Sequence, residues 1–321
     1  MELDTRIPLR KLEVFSLVVE LQSITRAAER LFVAQPVVTA HVRSLEERLG
    51  AELVYRDGRR MLPTEAGETV YHWAQDVLTR SREMAREIGG LADGTRGSVV
   101  VGSSMTAGSY VLPAPLARFQ RRHPEADITL DISDPEGAVN AVVSGKADFA
   151  LVIEDVEQIR SPQLEHEEVG EEDLALVAAP ASEPQTDSIP IKRLVTLPFV
   201  CSPPGLMRRE MVERRLREQG VIRQNVVMAL GHPEAMKRAA IDGLGAVLLF
   251  RSAVRRELEE GRLKEIAITD ARLRVPMLLV HRRSKRFSPL QQTLLHEIRE
   301  HLRGGVERIE SPAELAAVTA T

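Results

Sequence analysis

Apolar positions at the start of the chain fall at helical spacing. Leu9, Leu12, Phe15, Leu17, Val18, Val19 and Leu21 mark a first helix. Ser23 is a good N-cap for a second, running through Thr25 to Leu31. Val33-Ala34 makes a tight turn, and Gln35-Pro36 opens a third helix, with proline where its missing N–H is harmless. That helix carries Val37, Val38, His41, Val42, Leu45 and Leu49, and Gly50 stops it. Two short strand-like pieces, Leu53 to Arg56 and Arg59 to Leu62, then flank Asp57-Gly58, a two-residue hairpin signal. Thr64 caps a long helix over roughly residues 65 to 91, with Glu65 and Glu68 in its first turn. Its stripe of Val70, Trp73, Val77, Leu78, Met84, Ala85 and Ile88 is longer than a small head can bury alone, which predicts a dimer helix. Asp93 to Gly97 reads as a linker.

From Ser98 the pattern alternates between strand and helix. Strands at 99–101, 128–130 and 149–152 alternate with helices ending near Arg122 and spanning Pro135 to Ser144. This alternation implies a mostly parallel sheet. A second set has strands at 174–178, 198–201, 225–230 and 245–249, with helices at 206–219, 233–242 and 252–260. A strand at 273–281 and a helix at 288–302 close the ordered part. The predicted class is α/β. It comprises a winged helix-turn-helix over 1–63, a linker helix over 64–96, two lobes over 97–303 and a small, polar, frayed tail over 304–321.

Three short helices and a hairpin in this order suit DNA. Ala27 and Ala28 let the second helix pack closely on the third, which is narrow enough for a major groove about 12 Å wide. Its first turns would present Gln35, Pro36, Val37, Val38, Thr39 and His41 to bases. Arg43 and Arg26 would reach phosphates, and Arg56, Arg59 and Arg60 would grip the backbone from the wing. Charge alone does not reveal this. The chain has 43 Lys+Arg against 47 Asp+Glu, and residues 1–96 hold 14 against 15. The net of -4 argues against a generally basic, histone-like binder.

At this level of detail the chain resembles the LysR-type transcriptional regulators. The resemblance covers about residues 7–302. It is sharpest over Leu12 to Phe15, Ser23 to Leu31, Val33 to Thr39, Val42 to Gly50, Leu53 to Arg56 and Leu62 to Gly67. Two positions depart from the family pattern. Ala34 replaces a Ser or Thr, losing an N-cap hydroxyl worth about 1 kcal/mol. Ala40 replaces a longer polar residue, removing one phosphate or base contact. The resemblance implies a homodimer through antiparallel linker helices, often assembled to a homotetramer. It also implies a two-lobed effector domain like the periplasmic binding-protein fold. Gly145 to Val152 and Gly243 to Leu249 look like effector-domain signatures, with Phe250 in place of a usual proline. The implied partners are double-stranded promoter DNA, a small-molecule effector and, for an activator, RNA polymerase.

Ligands of doubly wound sheets bind beyond the carboxyl ends of strands. Ser103, Ser104, Met105 and Thr106 follow the first strand at a helix start, where hydroxyls and free N–H groups suit an anion. The same groups serve plain helix capping equally well. Cys201, Ser202 and Pro203 in the second lobe, and His232, are expected to face the same cleft, although a lone Ser or His usually has a structural role. The lobes are expected to hinge near 167–173 and 268–276. Cys201 is the only cysteine, which excludes an internal disulfide framework and favours a small buried residue over a redox role. Asp131, Asp134 and Glu136 read as turn-capping acids rather than a metal site. No cofactor is expected.

No apolar run reaches the roughly 18 residues of a membrane span, and Met1 to Lys11 lacks the apolar core of a secretory signal. A cytoplasmic chain is therefore expected. Two other function classes suit the lobes. A solute-binding protein is disfavoured by the helical head. An enzyme is disfavoured because the sequence shows no Gly-rich phosphate loop, no His-x-x-x-His pair and no nucleophile motif.

Overall fold

The computed structural model describes residues 7–92, 97–222 and 225–306. The predicted linker at 93–97 lies outside them except for Gly97. So does all of the expected tail beyond residue 306. The chain forms two compact units that divide near residue 95.

The first unit opens with α1 (Leu9–Leu21), α2 (Ile24–Leu31) and α3 (Gln35–Leu49). Ser23 Oγ accepts the Arg26 N–H at 3.2 Å, the predicted N-cap of α2. Ala34 offers no side-chain cap to α3, and Pro36 opens that helix instead. β1 (Val54–Asp57) and β2 (Arg60–Pro63) form the wing, and α4 (Glu65–Ala92) follows. Asp57 pairs with Arg60, so Gly58 and Arg59 form the hairpin tip, one residue beyond the predicted Asp57-Gly58. Gly58 carries the positive φ of +57° there, which an aspartate adopts less readily. The Met61 N–H donates to Gln22 O at 2.9 Å and fastens the wing to the end of α1. Thr64 Oγ1 donates to Glu52 O at 2.7 Å and accepts the Gly67 N–H at 2.9 Å, capping α4. A Cβ at Gly67 would stand 1.9 Å from Leu53 O, so only glycine lets α4 approach this closely.

Two apolar clusters hold this unit. Val14, Val18, Ala27, Ala28, Val38 and Val42 join the three helices. Leu12, Phe15, Leu45, Leu53, Ala74 and Leu78 seat α4 on α1. Val70, Trp73 and Val77 pack against that second cluster, whereas Met84, Ala85 and Ile88 are exposed. The predicted stripe thus splits into a half buried within the unit and a half open to solvent.

The second unit begins with β3 (Ser98–Ser104), a single π-helical turn at Ala107–Val111 and α5 (Pro113–Arg122). The predicted uninterrupted helix is broken here, because Pro113 and Pro115 lack the N–H groups a continuous ladder needs. β4 (Asp127–Ser133), α6 (Pro135–Val143), β5 (Phe149–Ile153) and the short α7 (Val156–Ile159) complete the first lobe's forward run. β6 (Leu164–Ala178) leads into β7 (Ser188–Ile189), β8 (Pro198–Cys201), α8 (Met207–Glu218), β9 (Asn225–Ala229) and α9 (Pro233–Ile241). β10 (Val247–Phe250), α10 (Arg251–Glu259), β11 (Lys264–Glu265), β12 (Ala267–Ile268), β13 (Arg274–Arg282) and α11 (Pro289–Val306) follow.

The main sheet has the order β10-β6-β13-β5-β3-β4. β3 pairs parallel with both β4 and β5, as predicted, but β13 and β6 run antiparallel to their neighbours. The sheet is therefore mixed. β6 is three times the predicted length because Glu165, Glu167, Glu168, Glu171, Glu172 and Asp173 hide its strand character. Cross-strand charge explains their placement. Arg274 pairs with Glu171 and Asp173, each at 3.0 Å, and Arg299 of α11 with Glu167 at 2.7 Å. The first part of β6 pairs with β13 and its last part with β10, and the Leu174 N–H donates to Leu273 O at the handover. The chain thus crosses between lobes at 173–174 and 273–274, within or beside the expected hinge segments. One core, from Val99 and Phe149 through Leu176 to Phe199 and Leu216, runs through both lobes. No helix among the described residues is long and apolar enough to cross a membrane.

Candidate functional sites

The first site is one face of α3. Val38, Val42 and Leu45 point into the core. Gln35, Pro36, Thr39, Ala40, Arg43, Ser44 and Glu47 line a single open depression. Their spacing of three and four residues places them along one side of the helix. Gln35 and Arg43 are exposed, and among the described residues their side chains make no hydrogen bond or ion pair. Thr39 Oγ1 donates back to Gln35 O at 3.2 Å, which leaves its oxygen free to accept. On the wing, Arg59 and Arg60 are exposed and likewise unpaired. The Arg56 Nε–H donates to Gly58 O at 3.1 Å, bracing that side chain across the turn. Arg26 is exposed, with one guanidinium N–H given to Leu21 O. Such a surface, with cations and an amide held on rigid elements and open to solvent, suits a polyanion with base edges in a groove.

The second site lies between the lobes. The Tyr110 hydroxyl, on the π-helical turn of the first lobe, donates to Glu234 Oε1 at the start of α9 in the second. Lys237 Nζ lies 2.7 Å from Glu234 and 3.0 Å from Glu257, and 5.5 Å from the Tyr110 ring centroid. Burial and the Glu234 acceptor together push the Tyr110 hydroxyl well above its ordinary range. Burial works to raise Glu234, but the Lys237 and Tyr110 hydrogen bonds outweigh it and hold the carboxyl low. The Arg208 Nε–H donates to Ser202 Oγ at 2.9 Å and Nη2 to Gly231 O at 3.3 Å. Burial lowers the Arg208 pKa while the nearby Tyr110 works to raise it. A second set of inter-lobe ties joins Arg214 to Glu154 at 2.9 Å and to Asp155 at 2.7 Å, with Arg215 also on Asp155.

Residues 9–68 match the family described as "Bacterial regulatory helix-turn-helix protein, lysR family", and residues 92–303 match the "LysR substrate binding domain". The chain belongs to the LysR family. The "RuBisCO operon transcriptional regulator" of Allochromatium vinosum is 33% identical over 88% of this chain and 92% of its own length. The "Uncharacterized HTH-type transcriptional regulator YeiE" of Escherichia coli (strain K12) is 32% identical over 88% of this chain and 94% of its own. Among solved structures, full-length CbnR in complex with its target DNA shares the fold. It has a TM-score of 0.57 and 20% identity, covering 92% of this chain and 99% of that one.

Within this LysR-family regulator several expected site residues take other roles. Val38 is fully buried between α1 and α2, so it is unavailable to a thymine methyl. His41 is half-buried and lies off the row formed by Gln35, Thr39 and Arg43. Ser103 is fully buried, and its hydroxyl donates within 3.1 Å of Leu151 O and Ser104 O. Ser104 Oγ accepts the Ile153 N–H at 3.1 Å. These two hydroxyls tie β3 to β5, because a strand end buried in a parallel sheet must satisfy its polar groups internally. Cys201 lies in the core, where burial pushes its thiol up against the opposing pull of Arg209. Thr106 is buried and Pro203 half-buried. His232 caps α9, its Nδ1 accepting the Glu234 N–H at 3.2 Å. Ser202 does face Arg208. Asp134 accepts the Gly137 N–H at 2.6 Å, the capping role expected of it, and the described residues contain no acidic or His/Cys cluster able to hold a metal.

Tyr110, Arg208, Glu234 and Lys237 were not singled out from the sequence. One signal was present. Arg208 and Arg209 occupy the first turn of α8, where the helix dipole disfavours cations. Two arginines at that end mark a local rule broken for a reason outside the helix.

Proposed function

We propose that this regulator is a one-component switch that binds promoter DNA as a homodimer or homotetramer and changes transcription when a small molecule binds between its lobes. The observation that carries the reading is the row of Gln35, Thr39 and Arg43 on the open face of α3, beside the unpaired Arg59 and Arg60 of the wing. In the proposal α3 enters the major groove, Gln35 pairs with a base edge, and the wing arginines neutralise phosphates. The solvent-facing Met84, Ala85 and Ile88 of α4 are the proposed dimer seam, since an apolar row on a long helix calls for a partner. An activator would in addition contact RNA polymerase, and the chain would work in the cytoplasm.

The deciding measurement is a gel-shift titration of full-length protein on DNA from upstream of its own gene, run beside a scrambled duplex. Specific retardation by an oligomer supports the proposal. Equal affinity for both duplexes, or a monomer that binds tightly, defeats it.

A further inference from the structure

Three cations stand beside Tyr110 or Ser202, and they are not equivalent. Lys237 is neutralised by Glu234 and Glu257. Arg209 is paired with Glu213. Arg208 makes no ion pair among the described residues. Its donors meet only the hydroxyl of Ser202 and the carbonyl of Gly231. Those two neutral acceptors fix the guanidinium in direction without cancelling its charge. A half-buried guanidinium is costly to hold without a counter-charge, and an anion arriving from solution removes that cost.

The facing lobe supplies the complementary group. Tyr110 is half-buried and donates its hydroxyl to Glu234, three residues beyond the Gly231 carbonyl that holds Arg208. Glu234 is the protein's own carboxylate, reaching from the second lobe to a donor on the first. It thereby acts as an internal stand-in for an external anion at the Tyr110 hydroxyl.

Resting on the effector-cleft reading above, we propose that Arg208 and Tyr110 together recognise a small oxyanion group, carboxylate or phosphate. In this proposal the incoming anion displaces Glu234 from Tyr110. Arg208 is the specificity-determining residue because a planar fork held at Ser202 and Gly231 presents its remaining N–H donors in a fixed geometry that matches two oxygens. The displacement also gives the switch its difference between states. The tie from Tyr110 to Glu234 belongs to the ligand-free arrangement and the tie from Tyr110 to the anion to the bound one. A ligand shifts an equilibrium only through such a difference.

The test is calorimetric titration of inorganic phosphate, and separately of acetate, into full-length protein at constant ionic strength. Saturable binding of at least one probe is expected. Arg208→Gln should weaken it about tenfold or more, the usual scale for a charged hydrogen-bonded contact. Arg208→Lys should recover part of the loss. Glu234→Gln should tighten binding a few-fold, a gain that misfolding does not produce. Wild type that binds neither probe saturably, an Arg208→Gln variant that titrates like wild type, or a Glu234→Gln variant that binds more weakly overturns the proposal. A gel shift on the same preparations separates the two readings. Specific DNA retardation by wild type with no effect of Arg208→Gln on anion binding defeats this inference alone. Loss of specific retardation defeats the regulator reading whatever the titrations give.

Discussion

The α3 face and the inter-lobe cleft treat their polar groups in opposite ways. On α3 and the wing, Gln35, Arg43, Arg59 and Arg60 stand in solvent with no protein partner among the described residues. In the second unit, Ser103, Ser104, Ser202, Tyr110, Glu234 and Lys237 are all hydrogen-bonded within the chain. The difference follows from the partner each surface faces. Water keeps an exposed donor satisfied until a phosphate or base edge replaces it. A buried donor has no water, so it must be matched internally even while a site is unliganded. A surface for a polyanion is therefore visible as free charge, whereas a small-molecule cleft shows itself through substitutions among internal partners.

The comparison breaks first at the joint that holds the wing in place. Gly67→Ala puts a methyl group against Leu53 O. It should destabilise the first unit by about 3 kcal/mol, near the upper end for overpacking, and DNA binding should fall with it. Thermal melts followed by circular dichroism check this, and a melting point equal to wild type would show that the close approach is dispensable. Next, Gln35→Ala should cost about 1–3 kcal/mol on the cognate site and relax preference at one base pair, with little loss on scrambled DNA. Equal losses on both duplexes would assign Gln35 to the backbone.

Smaller effects sharpen the contrast. Ser103→Ala leaves the Leu151 carbonyl without that buried donor, so unfolding in urea should show a loss of about 1 kcal/mol. Anion binding in the cleft should be unaffected, and a specific loss of ligand affinity at wild-type stability would return Ser103 to the site. Arg60→Ala removes one free cation. It should weaken all DNA sequences alike and flatten the slope of log affinity against log salt by about 0.9. An unchanged slope would take Arg60 out of phosphate contact.

The two sites also differed in how far they could be read from residue order. The head was legible because its cues are local. Ser23, Pro36, Gly50 and Thr64 each act within a turn of their own position, and the helical period separates Gln35 from Leu45 without reference to anything distant. The exceptions are Val38 and the hairpin tip. Val38 falls one residue from exposed Val37, and the packing of α2 decides which of them is inside. Arg26, expected on phosphates, also turns out to cap the end of α1. Ser103 and Ser104, expected beyond a strand end, are instead the last two residues of β3, and strand β5 engages their hydroxyls from 48 and 49 residues away. The contact between Tyr110 and Glu234 spans 124 residues. Pairings at that separation leave no periodic trace.

Local order therefore determined the winged helix-turn-helix, the long α4, the alternation of strands and helices, and the family to which the chain belongs. Tertiary structure alone decided the mixed sheet, because the acid-rich half of β6 becomes a strand only when Arg274 and Arg299 arrive to pair with it. It also decided which cation in the cleft lacks a counter-charge. Glu213 and Glu234 lie within one helical turn of Arg209 and Lys237, but only folding brings Glu257 to Lys237 and gives Arg208 two neutral acceptors instead of a carboxylate. Electrostatic pairing acts over a few ångströms of space, whatever the separation along the chain, and so the pairs between distant residues leave no mark in residue order.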